Sequence, residues 1–154
     1  MRGASVMSGY VGDGAPAPFV DGWLRTGDLG YLAGGELYVT GRKKDIVISA
    51  GHNYYPEDFE WAAGRVDGVR PGRCVAFGLS EREQVVVLVE PRNGSPGPGL
   101  ERDVARAVAD AVGVRPHRVL VLPRGTIEKT TSGKLRRAAM RAAYERGGLT
   151  DGAR

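Results

Sequence analysis

Two lysines five residues apart, Lys129 and Lys134, stand in the segment TIEKTTSGKLRR (residues 126–137), separated by three hydroxyl side chains and a glycine. Three chemistries use such residues: a cationic patch for nucleic acid, a phosphate-cradling loop, or a lysine delivered on a mobile loop to an active site built elsewhere. The phosphate-loop pattern G-x-x-x-x-G-K-[ST] needs four residues between its glycines and a hydroxyl after the lysine, so that backbone N–H groups wrap the phosphates and the hydroxyl reaches magnesium. Here seven residues separate Gly125 from Gly133, and Leu135 follows Lys134. That pattern fails. Nucleic-acid binding fares little better, since aromatic interleaving in the basic segment is limited to Tyr144.

A second group of candidates lies upstream. In GWLRTGDLG, Asp28 sits between glycine-containing turns, where an acceptor-only carboxylate can meet two vicinal hydroxyls or can merely stabilise its own turn. Arg42, across a short hairpin, is placed to donate to the same sugar or to pair with Asp28. Metal chemistry finds no ligand cluster: one cysteine, Cys74, and two scattered histidines, His52 and His117, read as a core thiol and two surface or turn residues.

The elements that must position these residues follow from pattern. Residues 1–34 read as loop and turn, with a hairpin over about 29–41 marked by its Gly-Gly turn. DIVISAG is a short strand stopped by Gly51. Pro56 at a first turn, with Glu57, Asp58 and Glu60 after it, predicts a helix over about 56–66. CVAFGL and QVVVLVEP read as paired buried strands around the turn SEREQ. Leu100, Val104, Ala107, Val108, Ala111 and Val112 recur at helical spacing and stop at Gly113. HRVLVLP is a further strand, and SGKLRRAAMRAAYERGG a last helix with Ser132 as N-cap and Gly147 as its end. The expected fold is α+β: a hairpin and a three-stranded sheet with flanking helices, a small domain over 43–146 with a flexible tail, 147–154.

Length and an ordinary 42% of hydrophobic residues suit one such domain plus a fragment of another. No membrane-spanning run or secretory leader is apparent, and the lone cysteine points to a reducing, cytoplasmic compartment. The formal net charge of +4 is concentrated at residues 124–146, with seven Lys/Arg against two Glu. A solvated helix face and an anionic partner both account for that excess.

Three stretches together, GWLRTGDLGYL, GRKKDIVISAGHNYYPEDFE and IEKTTSGKLRR, resemble the successive C-terminal motifs of the adenylate-forming superfamily of acyl-CoA synthetases, nonribosomal peptide synthetase adenylation domains and luciferases. The resemblance runs over about residues 3–146. GHNYYPEDFE followed by VRPGRCVAFGL is most similar to fatty acyl-AMP ligases. By that resemblance residues 1–42 are the tail of a large adenylation domain and 43–146 the C-terminal lid. Asp28 would hold the ribose hydroxyls of ATP or acyl-AMP, with Arg42 beside it. Lys44 would be the hinge, Gly51 would line the path of the phosphopantetheine or CoA thiol, and Lys134 would be the catalytic lysine. Lys129 would be structural or docking-related, not catalytic.

The family's phosphate loop, acyl pocket and adenine-binding residues are not recognisable in this sequence. The resemblance therefore implies a complementary large domain or subunit, ATP with Mg2+, and an acyl carrier protein or CoA as acceptor. The first thirty-four residues, shaped for a core elsewhere, are expected to pack irregularly. The rival expectation is a non-catalytic module that docks an acidic carrier protein through its basic C-terminal helix.

Overall fold

The computed structural model describes residues 1–9, 18–79 and 83–149. Most of the expected turn SEREQ, residues 10–17 of the opening segment and residues 150–154 of the tail lie outside the described residues. The chain divides into two compact units, Met1–Lys44 and Asp45–Arg154.

The first unit is built from hairpins. Two-residue strands β1 (Phe19–Val20) and β2 (Trp23–Leu24) pair antiparallel, which the reading of this stretch as loop and turn did not anticipate. β3 (Asp28–Ala33) pairs antiparallel with β4 (Glu36–Arg42), and their register shifts between Leu29 and Gly30. Glycine suits the shift: a Cβ on Gly30 would stand 2.4 Å from the carbonyl oxygen of Tyr38, so any other residue would force the strands apart. Tyr31 and Tyr38 stack across the hairpin with centroids 5.1 Å apart, the kind of cross-strand pair that fixes a register.

The second unit starts on β5 (Val47–Ser49), paired with β6 (His52–Tyr54). The turn between them is Ala50-Gly51, both with positive φ (49° and 74°), the left-handed pair that a two-residue hairpin requires. Sequence pattern missed β6 because HNY is polar and mostly exposed. α1 (Pro56–Gly64) follows, two residues shorter than expected, with Pro56 in its first turn and Glu57 and Asp58 beside it.

The centre of this unit is a sheet in the order β7–β8–β9, from Val69–Leu79, Gln84–Pro91 and Arg118–Val121. β7 and β8 run antiparallel, and β8 and β9 parallel, with α2 (Leu100–Val112) making the crossover. β8 is buried almost throughout, as a central strand covered on both faces must be. Its alternation divides the core. Val85, Val87 and Val89 join Phe59 of α1 and Val104 and Val108 of α2 in one layer. Val86 and Leu88 join Leu120, Leu122, Ile127 and Met140 in the other. Each such side chain contributes roughly 1.5–3 kcal/mol on burial.

α3 (Arg137–Glu145) covers the second layer through Met140. It begins later than expected. Ser132 is not its N-cap: Arg136 takes that place with no side-chain cap, and the Ser132 hydroxyl lies 2.9 Å from that of Thr130.

Candidate functional site

Lys134 closes a tight turn. Lys129 and Leu135 form an antiparallel bridge, and inside it Thr130 holds nearly everything. Its N–H donates to the Lys134 carbonyl (2.8 Å), its carbonyl accepts from Gly133 N–H (2.9 Å), and its Oγ1 accepts from Lys134 N–H (3.1 Å). Gly133 sits at φ +82°, where a side chain would be strained. The sequence TTSGK therefore folds into a closed turn whose backbone is satisfied locally, leaving Lys134 exposed. Such a geometry can present a compact, multi-donor cation to an anionic group.

Both stems of this turn are anchored in the core. On the N-terminal side, one oxygen of Glu90, Oε1, accepts from Gly125 N–H and Ile127 N–H, each at 2.9 Å. The other accepts from Arg70 Nη1 at 2.9 Å. Glu90 is 0% exposed, and Ile127 also accepts through its carbonyl from Arg73 Nη1 (2.8 Å). On the C-terminal side, Arg136 N–H donates to the Glu128 carbonyl (3.1 Å), and the two side chains form an ion pair.

Arg137 then makes a two-pronged pair with Glu60 of α1, Nε to Oε1 and Nη2 to Oε2, both at 2.8 Å. It also reaches Glu57 (2.7 Å) and Asp45 (3.8 Å). Glu60 Oε1 takes a further N–H, that of Ala76 on β7 (3.1 Å). Burial lifts the Glu60 carboxyl above its ordinary value despite the guanidinium beside it. The hydrogen bonds and charges of Glu60, Glu57 and Asp45 push the Arg137 guanidinium further up, so it stays charged.

In the first unit, Asp28 and Arg42 end opposite strands of the β3–β4 hairpin and face each other in register. Arg42 Nε donates to Asp28 Oδ1 at 3.0 Å. Thr26 Oγ1 accepts the Asp28 N–H (3.1 Å), and Lys43 N–H donates to the Gly27 carbonyl (2.9 Å), which ties the turn to the strand end. Thr26, Gly27, Arg42, Lys43 and Lys44 line an open hollow of ≈ 590 Å³. Lys44 lies in a 3₁₀ turn, Lys43–Asp45, where the division between the two units falls.

Of the residues singled out from sequence, Asp28, Arg42 and Lys44 thus gather at one end of the first unit. Lys134 and Gly51 belong to the second, where Gly51 N–H lies 3.4 Å from Glu83 Oε2. His52 is exposed with Nδ1 2.9 Å from the Ala50 carbonyl, and His117 is exposed. Glu60, Glu90 and Arg137 were missed. Glu90 left one signal, a lone acid closing the apolar run QVVVLVEP; Arg137 was counted only as part of a basic segment.

A larger hollow of ≈ 830 Å³ lies between α2 and β9, rimmed by Arg102, Arg106, Arg115 and Arg118. None of the predicted residues lines it. Among the described residues, no three His, Cys, Asp or Glu side chains come together to hold a metal ion. No helix among them is long and apolar enough to cross a membrane.

No protein-family model matches the chain. It is 51% identical over 148 residues to a putative ligase of Mycobacterium tuberculosis, covering 90% of this chain and 27% of that one. It is 37% identical over 137 residues to a long-chain-fatty-acid–AMP ligase of Mycobacterium marinum, covering 82% and 23%. Among solved structures, one of the fatty acyl-adenylate ligases of E. coli and L. pneumophila superposes with a TM-score of 0.78 at 34% identity, over 95% of this chain and 27% of that one. The chain spans about a quarter of the length of these relatives.

Proposed function

This chain belongs to the adenylate-forming superfamily as a C-terminal portion, most like its fatty acyl-AMP ligases, and from that premise we propose that it is the lid that brings a catalytic lysine to a complementary large domain. The reaction would be ATP-dependent activation of a carboxylate. A carboxylate oxygen attacks the α-phosphorus, the bond to the β-phosphate oxygen breaks, and pyrophosphate leaves. A thiol then attacks the acyl carbon and expels AMP. The thiol would be that of a phosphopantetheine arm on an acyl carrier protein, or of CoA.

The observation that carries this reading is the closed 130–134 turn that ends in an exposed Lys134. Two anions must meet in the first step, and a positioned cation at the developing charge is what the chemistry needs. Asp28 would accept from the ribose hydroxyls and Arg42 would hold its carboxylate in place. The Asp28–Arg42 pair and the hollow beside it support that role. Lys44 would be the hinge, which the division of the chain after it supports. Gly51, at its exposed turn, would line the route of the thiol arm.

Mg2+ would be held by the triphosphate and its waters, the mode this ion usually takes; among the described residues no acid or histidine cluster is gathered to cage it. It would neutralise phosphate charge during the first step. The hairpin β3–β4 exposes Tyr31 and Tyr38 on one face and Leu32, Leu37 and Val39 on the other, apolar side chains that a larger domain would cover.

Lys134→Ala, in the chain supplied with its large domain, tests the reading. Adenylation should fall on the order of 10²–10³-fold, while transfer from pre-formed acyl-AMP holds. Equal loss of both half-reactions would make the turn structural and the reading wrong. The alternative, carrier docking through the basic helix, is weakened because Arg136, Arg137 and Arg141 are engaged by acids of this chain.

A further inference from the structure

We propose that Glu90 and the Glu60–Arg137 pair are positioning residues that clamp the two stems of the 130–134 turn to the lid core, so that Lys134, which closes that turn, is carried on a rigid arm. The inference rests on Lys134 being the catalytic lysine.

A hairpin tip is only as well placed as its stems. Ile127, seven residues before Lys134, is 1% exposed and is held through both its N–H and its carbonyl, by Glu90 and Arg73. Arg137, three residues after Lys134, is held through both prongs of its guanidinium by Glu60. The anchors come from three different elements of the core: β8, β7 and α1. Between them runs the bridge of Lys129 with Leu135, extended by Arg136 N–H to the Glu128 carbonyl. No stem of the turn is left to local structure alone.

The acids suit the task chemically. One oxygen of Glu90 satisfies two backbone donors that turn away from any ladder, and the other is left for Arg70. A two-pronged carboxylate–guanidinium pair fixes orientation as well as distance. Both clamps also absorb cationic charge inside the lid, with Arg70 on one and Arg137 on the other. Arg137 further reaches Asp45, the residue directly after Lys44. The second stem is thereby braced to the place where the second unit begins, so a swing of that unit about Lys44 would move Lys134 through a fixed arc.

The test uses Glu60→Gln, Arg137→Lys and Glu90→Gln. In the 154-residue chain, amide exchange at Thr130, Gly133 and Lys134 should speed up about tenfold, with exchange across β8, β9 and β7 apart from Ala76, whose N–H Glu60 accepts, unchanged. With the large domain supplied, adenylation should fall on the order of 10- to 10²-fold, the scale of a misplaced reacting group, and transfer from pre-formed acyl-AMP should hold.

In a Lys134→Ala background the same substitutions should cost nothing more, because they act through that lysine. A further loss there, or adenylation unchanged in Glu60→Gln and Arg137→Lys, overturns the proposal. If buried Glu90→Gln does not fold, the more exposed Glu60–Arg137 pair decides alone. A Lys134→Ala chain that adenylates normally would instead overturn the function proposed above, whatever the clamp variants do.

Discussion

Cys74 lies on β7 among the apolar side chains of one core layer, 4% exposed. Burial first, and then the charges of Glu60 and Glu90, push its thiol from 9.0 up to about 12. Below pH 9.0 the thiol is protonated whether the chain is folded or not, and it has no effect on stability. Between 9.0 and about 12 the unfolded thiol loses its proton while the folded one keeps it, so the unfolded state is favoured as pH rises. Urea unfolding should therefore show the wild type losing about 1.4 kcal/mol per pH unit relative to Cys74→Ala above pH 9. Parallel pH profiles for the two chains would contradict this. The same residue-scale view explains what sequence could and could not disclose. The turn around Lys134 was legible as a loop because its hydroxyl- and glycine-rich setting is local. Arg137 was not, because its partner Glu60 lies 77 residues away, and a charge count cannot tell a solvated arginine from a clamped one.

Elements were legible where burial leaves a pattern, as in the continuous apolar run of β8 and the helical spacing of α2. They were misread where side chains override the pattern. Ser132 looked like a helix cap, yet it pairs with the Thr130 hydroxyl in a turn that ends before α3 begins. β6 was invisible because its residues are polar and its strand is specified by the Ala50-Gly51 turn. The hairpin of β3 and β4 was anticipated, but not its register shift at Gly30, which only the approach of the Tyr38 backbone reveals. Gly30→Ala should cost that hairpin about 1–3 kcal/mol, as overpacking does. Amide exchange across β3 and β4 should rise, while that of β7 and β8 stays as it was. A hairpin equally protected in the variant would mean the strands can part without cost.

At the scale of the molecule, the division after Lys44 gives a further expectation. Lys44→Pro fixes φ at that position and removes a backbone donor. In an enzyme with both half-reactions, single-turnover kinetics should show adenylation and transfer each within a few-fold of normal, but a slowed passage from one to the other. Loss of adenylation alone would place the swivel elsewhere. The mixed sheet of the second unit has its own consequence, in the order of events as the chain is made. β7 and β8 can zip together as soon as both exist, because antiparallel neighbours need only a turn. The parallel side of β8 must wait for α2 and then for Val121, a distant closure of the kind that slows folding. Only after that do Gly125 and Ile127 arrive to take the oxygen of Glu90. The segment that carries Lys134 thus finds its place only after the sheet is formed, and a full-length chain whose folding halted at that point would hold a finished sheet with an unaimed lysine.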